Sequence, residues 1–266
     1  MLKRILLLTL CLAMMCGTSS CYFMSQYAQQ KNNPPADPVT ITIVYPDSED
    51  TLSVTPGYKT SFTPQYINGK TLVGFYGQSN GAGTEYFNFK GDMNQAWKET
   101  NPTTLYAIYD DIDYSVVYHS SIAWDENPVA YAKGGGKGRT ATWSPKDMEA
   151  EEEFFRTIYC NPNLEVTVWL EVEVKLTEDA RDYYKGVTVV SFGKGADEFR
   201  SQEYTVSELS FDNYVHLMLS KRIKAKQLFS SNSEIYTRIL WSSMGWGGVV
   251  KNAQYTVTIV DPTKGS

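Results

Sequence analysis

Two carboxylates and an indole fall at alternate positions of one run, Trp169, Glu171 and Glu173 in LEVTVWLEVEVKL, residues 164–176. Successive side chains of a strand point to opposite sides, so in an extended chain these three share a surface. A flat ring beside two acceptors is what a sugar needs: the ring for its carbon-bearing face, the carboxylates for its hydroxyls. A carboxylate pair is also the machinery of glycoside hydrolysis, one group serving as acid and the other as base or nucleophile. The run lacks a stricter Glu-x-Asp-x-x-Glu spacing, which makes catalysis the most remote reading. A solvent-facing acidic stripe is the plainest, and a glycan-binding face lies between them. Trp246, in MGWGG at 244–248, is the second aromatic candidate. A large ring in a glycine-rich loop either folds back as a lid or stands out as a platform for sugar stacking.

Other chemistry-bearing residues point to no reaction. His119 and His216 sit within strand patterns, with no carboxylate at metal-ligand or triad spacing. The run Lys133-Gly-Gly-Gly-Lys137-Gly-Arg139 lacks the Gly-Lys-Ser/Thr ending of a phosphate-binding loop and reads as a hairpin turn. Asp110, Asp111 and Asp113 lack the spacing and glycine turn of a calcium loop, so they read as a solvated junction. Cys160, without basic neighbours in sequence, reads as a small buried side chain. No catalytic residue, metal or cofactor is expected.

The element that positions Trp169, Glu171 and Glu173 is unusually plain. Leu164, Val166, Val168, Leu170, Val172, Val174 and Leu176 are apolar, while Glu165, Thr167, Trp169, Glu171, Glu173 and Lys175 occupy the other face. That alternation predicts a half-buried strand of roughly 43 Å, long enough to cross a whole sheet and to bend or bulge on the way. Around it, further strands are predicted at Tyr114–His119, Val129–Lys133, Arg139–Trp143, Phe154–Tyr159, Val187–Phe192, Tyr204–Val206, Phe211–Leu219, Ile235–Trp241 and Ala253–Val260. Strands at such spacing, punctuated by Gly, Ser and Asn-Pro, predict an antiparallel β-sandwich of jelly-roll type over 111–266. One helix is predicted where Ser144-Pro145-Lys146-Asp147 supplies a cap, a first-position proline and an acid ahead of MEAEEE.

Residues 39–110 form a smaller unit. Val39, Ile41, Ile43 and Tyr45 share a face, Thr71–Tyr76 and Thr103–Tyr109 are strand runs, and a short helix is expected near Asp92–Lys98. Gly74, inside a strand run, allows a bulge or a close approach of backbone. The segments GKTLVGFYG, EYFNFKG and TTLYAIY, after an opening VTITIVY, resemble the Listeria-Bacteroides repeat, or internalin B-repeat. Gly74 between Val73 and Phe75, the pair Phe75 and Tyr76, and the closing Leu105, Tyr106, Ala107 and Tyr109 carry the resemblance. An acidic turn at Asp47–Asp50 stands where the family usually has Asn-Gly-Gly. The resemblance implies a β-grasp-like module, a place at the cell surface and a spacer or adhesive role without catalysis. The expected fold class is therefore all-β with a minor helix: a β-grasp-like module, then a sandwich.

The first twenty residues read as a secretory signal. Lys3 and Arg4 precede an apolar run from Ile5 to Met15, too short to span a bilayer, and small polar residues follow. Cys21, after Ser20, is better placed than Cys16 for lipid attachment, with ordinary cleavage and release as the alternative. Residues 21–38, rich in Gln, Asn and Pro, read as a tether. With a net charge of −6, made more negative by loss of Lys3 and Arg4, the chain does not suit nucleic acid. The expectation is an exported protein of the cell envelope or surface. Its partners would be a membrane, through the lipid anchor, and a glycan or surface protein; its role would be adhesion or display, with carbohydrate binding through the sandwich as the alternative.

Overall fold

β-branched and aromatic residues dominate the regular segments, and the chain is accordingly all-β with little helix. A computed structural model describes residues 36–122, 129–130, 137–150, 152–176, 187–195, 197–229, 234–241 and 248–264. The chain divides into two compact units, Met1–Gln65 with Val73–Ile108, and Tyr66–Leu72 with Tyr109–Ser266.

The first unit is built on a mixed sheet. Its strands are β1 (Val39–Val44), β2 (Glu49–Val54), β3 (Lys70–Tyr76), β4 (Glu85–Asn88) and β5 (Thr104–Asp111), in the order β2-β1-β5-β3-β4. β1 and β2 form an antiparallel hairpin, whereas β1 and β5 run parallel. Aromatic rings fill the core: Phe75 packs edge-on against Phe62 at 5.0 Å and Tyr45 at 6.1 Å, and Phe62 meets Phe87 at 5.1 Å. Gly74 marks a close approach, since a Cβ there would lie 3.0 Å from the Phe87 carbonyl oxygen and collide with the Glu85 carboxylate. The helix expected near Asp92–Lys98 is not formed. Met93 instead bridges to Phe87, and Trp97 is buried with its amide bonded to the Tyr58 carbonyl. Met93 and Trp97 are thus inward anchors of a loop, which a helical spacing of apolar residues imitates.

The second unit is a sandwich of two antiparallel sheets. One has the order β11-β10-β13-β8-β7, from β7 (Val129–Ala130), β8 (Lys137–Trp143), β10 (Val187–Lys194), β11 (Asp197–Thr205) and β13 (Ile235–Trp241). The other has the order β12-β9-β14-β6, from β6 (Val117–Ser121), β9 (Glu165–Leu176), β12 (Val215–Lys224) and β14 (Gly248–Ile259). β9 runs twelve residues without a break, every even position buried and every odd one half-exposed. The irregularity expected in it lies in its neighbour: β14 bulges between Lys251 and Gln254, with Asn252 at φ 47°.

The inner faces meet around Tyr255, which is fully buried on β14. Its ring stacks on Trp143 of the opposite sheet at 5.1 Å, and its hydroxyl bonds the Thr237 hydroxyl on β13. Burial pushes the Tyr255 phenol well above its ordinary range. Pairing the one polar atom removes the cost of burying it unsatisfied.

Phe154–Tyr159 is not a strand. It belongs to α1 (Glu152–Cys160), which follows a 3-10 turn at Pro145–Ala150. Phe154, Phe155 and Ile158 are buried, the i, i+1, i+4 spacing of a helix face. The acids at 152 and 153 open the helix, where its dipole favours negative charge, rather than closing the earlier turn. A second short helix, α2 (Ala225–Phe229), follows β12 directly, and the buried Lys194 ammonium donates to the carbonyls of Gln227 and Leu228 at its end. No helix among the described residues is long and apolar enough to cross a membrane.

Candidate functional site

Strand register, rather than sequence proximity, assembles the face that carries Trp169. Opposed residues of an antiparallel pair lie on the same side of the sheet, so the outward residues of β12, β9, β14 and β6 form transverse rows. The central row is Ser220, Trp169, Thr256 and His119. The row on one side is Met218, Glu171, Gln254 and Ser121; the row on the other is Arg222, Thr167, Thr258 and Val117. Adjacent rows are two residues apart along each strand, roughly 7 Å.

Trp169 is half-exposed, and its indole N–H donates to the Thr258 hydroxyl at 3.2 Å, diagonally across to β14. That bond fixes the ring orientation, as a stacking platform requires. Beside it, Thr256 is paired to His119 Nδ1 at 3.0 Å and is nearly covered, at 7% exposure. Met218 and Val117 are exposed, so a thioether and an isopropyl group add to the indole in the apolar area of the face.

The two carboxylates are held by side-chain amides. Glu171 accepts from Gln254 Nε2 at 2.9 Å, with His216 Nε2 at 3.7 Å. Glu173 accepts from the Asn252 amide, which the left-handed backbone at the β14 bulge turns toward it. Each carboxylate keeps lone pairs for an incoming hydroxyl while its position is set. Past Glu173, the Tyr214 ring meets the ammonium groups of Lys175 and Lys251, each 5.3 Å from its centroid.

The structure therefore brings Trp169, Glu171 and Glu173 onto one outward face. Trp246 and Cys21 lie outside the described residues, as does the glycine run at 134–136. His119 and His216 both fall on the same face, with Thr256 and Glu171 as their partners. Cys160 ends α1 and is buried, its Sγ 3.8 Å from the Leu72 carbonyl; burial pushes the thiol up to about 11. Among the described residues, no cluster of three or more His, Cys, Asp or Glu side chains could hold a metal ion.

Near the foot of β9 the same face runs into a cavity of about 600 Å³ whose lining residues all belong to the second unit. Glu165, Arg222, Lys224, Asp261, Lys264 and Tyr114 contribute to it. Lys224 Nζ donates to Glu165 at 3.0 Å, and this bond holds the Glu165 carboxyl below its ordinary range. No local motif announces the cavity, because its walls come from five separate stretches of chain.

No protein-family model and no curated protein matches the sequence. Several solved structures show limited likeness, three of them as follows. A xylan-binding module, CBM15, shares 12% identity at a TM-score of 0.30, over 55% of this chain and 97% of that one. The VP2 subviral particle of infectious bursal disease virus shares 9% identity at a TM-score of 0.32, over 76% of this chain and 55% of that one. Broad Bean Stain Virus shares 7% identity at a TM-score of 0.26, over 57% and 91%. Likeness this low carries neither an activity nor a ligand across.

Proposed function

We propose that the sandwich is a non-catalytic glycan-binding module of an exported surface protein, held to a membrane by a lipid on Cys21. The observation that carries the binding reading is the fixed geometry of the β9 outer face. An indole pinned through its N–H to Thr258 lies one row from a carboxylate pinned by Gln254, with Glu173 pinned a row further on. A ligand meeting groups already held in place loses less entropy on binding than one that must order them. Amide-capped carboxylates suit hydroxyl recognition better than a proton shuttle, which favours binding over hydrolysis. Export and anchoring rest on the basic start, the apolar run and Ser20-Cys21. The first unit would act as a spacer, a role that the repeat resemblance alone implies; the parallel β1 and β5 bear on its fold.

A second reading, display or adhesion through a protein partner, is favoured by the central row itself, where Ser220, Thr256 and His119 offer no second large aromatic ring. A glycan array on the purified protein separates the two. Retention of one oligosaccharide class, lost in Trp169→Ala, supports glycan recognition; an array without signal leaves adhesion to protein.

A further inference from the structure

The cavity at the foot of β9 is continuous with the Trp169 face and differs from it in charge. Arg222 is one row from Trp169 and Lys224 the row beyond, both pointing outward from β12. With Lys264 they place three cations around the cavity against two carboxylates, Glu165 and Asp261. A local excess of positive charge is unexpected in a chain of net charge −6.

How the cations are engaged matters more than their number. Lys224 is hydrogen-bonded to Glu165, but Arg222 Nη1 stands 3.7 Å from Glu165 and Lys264 Nζ 3.6 Å from Asp261, both beyond hydrogen-bond length. The Arg222 side chain is 48% exposed and that of Lys264 82%, so both pairs are loose surface contacts worth little, and exchanging one for an incoming anion costs little. A guanidinium presents a planar fork of donors that matches a carboxylate in two parallel bonds.

The walls are set in advance. Asn161 accepts from the Gly69 amide at 3.2 Å and donates to the Lys70 and Thr157 carbonyls at 2.9 and 3.0 Å, fixing the 66–72 segment against the end of α1. On the other side, the Val260 amide donates to the Glu165 carbonyl at 2.9 Å, and the half-buried Tyr114 ring adds an apolar wall. Volume, a ring and a loosely paired guanidinium together fit one sugar residue with an acidic substituent.

We infer that this cavity takes an anionic sugar residue of the glycan lying along β9, with Arg222 as the fork that receives its carboxylate. The inference rests on the glycan reading of the Trp169 face and adds to it a class of ligand: acidic oligosaccharides in preference to neutral ones.

The test is calorimetric titration of the whole protein with uronic-acid tetrasaccharides, each paired with its carboxyl-reduced form, and with sulfated analogues of the reduced form. Wild type should prefer the uronate to its neutral partner by roughly tenfold, the scale of one charge-assisted pair. Arg222→Gln should remove that preference by weakening the uronate more than its neutral partner, while Trp169→Ala should weaken both alike. Lys264→Gln, also at an exposed position, should lower the preference partially and in a salt-dependent way. A sulfated form that matches the uronate would show the anion to be general and overturn the carboxylate assignment. Equal binding of acidic and neutral forms, sensitive to Trp169→Ala, would overturn the inference and leave the glycan face standing. Binding of neither would overturn both.

Discussion

Glu165 shows how a single side chain reports on its surroundings. Its carboxyl is held below the ordinary value of 4.5, first by the hydrogen bond from Lys224, then by the charges of Lys224 and Arg222. A carboxylate whose folded pKa is depressed contributes stability that is fully present above its unfolded value and is lost as the pH falls through the folded one. We expect carbon-13 NMR to place the Glu165 titration below 4.5 and Lys224→Met to move it up toward that value. A titration at the ordinary value, unmoved by the substitution, would mean that the pair does not form. Cys160 poses the opposite case. Its thiol is 2% exposed and raised to about 11, so little thiolate exists near neutrality. A maleimide reagent should label Cys160 only after denaturant is added; rapid labelling of the folded protein would contradict the packing of α1.

β9 packs the core with one face and, in the reading proposed above, meets a glycan with the other, and the two should separate on mutation. Leu170, fully buried, should cost about 2–5 kcal/mol when cut to Ala, because a cavity remains behind. Trp169→Ala, on the half-exposed face, loses a single hydrogen bond and partial burial, for about 1 kcal/mol. Chemical denaturation measures both; equal losses would make Trp169 a core residue. This strand was legible in the sequence because a sheet with one wet face imposes period two on thirteen residues, and no helix shows that pattern. α1 was not. Phe154, Phe155, Thr157, Ile158 and Tyr159 all favour strands locally, and only packing against α2 and the sandwich makes the helix the better solution. The rest of the outer face was hidden for another reason. Met218 and Gln254 alternate correctly in their own strands, whereas Arg222 closes the polar run Ser220-Lys221-Arg222 beyond the strand expected at Phe211–Leu219; nothing local says that β12 and β14 flank β9, since strand order is settled by long-range pairing.

Across the whole molecule, the proposed function needs both an address and a surface. Residues 1–35 fall outside the described structure, and the proposed lipid anchor rests on the apolar run and Ser20-Cys21 of the sequence. Each buried CH₂ of an acyl chain contributes about 0.8 kcal/mol of membrane affinity. Cys21→Ser should therefore shift the protein from the membrane to the soluble fraction on cell fractionation; a mutant that stays with the membrane would refute the anchor. The surface is tested by its ligand. The most direct measurement is calorimetric titration of wild type and Trp169→Ala with the strongest binder from a glycan array, alongside thermal unfolding of both proteins. Wild type should bind saturably and Trp169→Ala at least tenfold more weakly, the scale of a stacked aromatic anchor, with only a small fall in melting temperature. Unchanged binding in a Trp169→Ala protein that remains folded would contradict this.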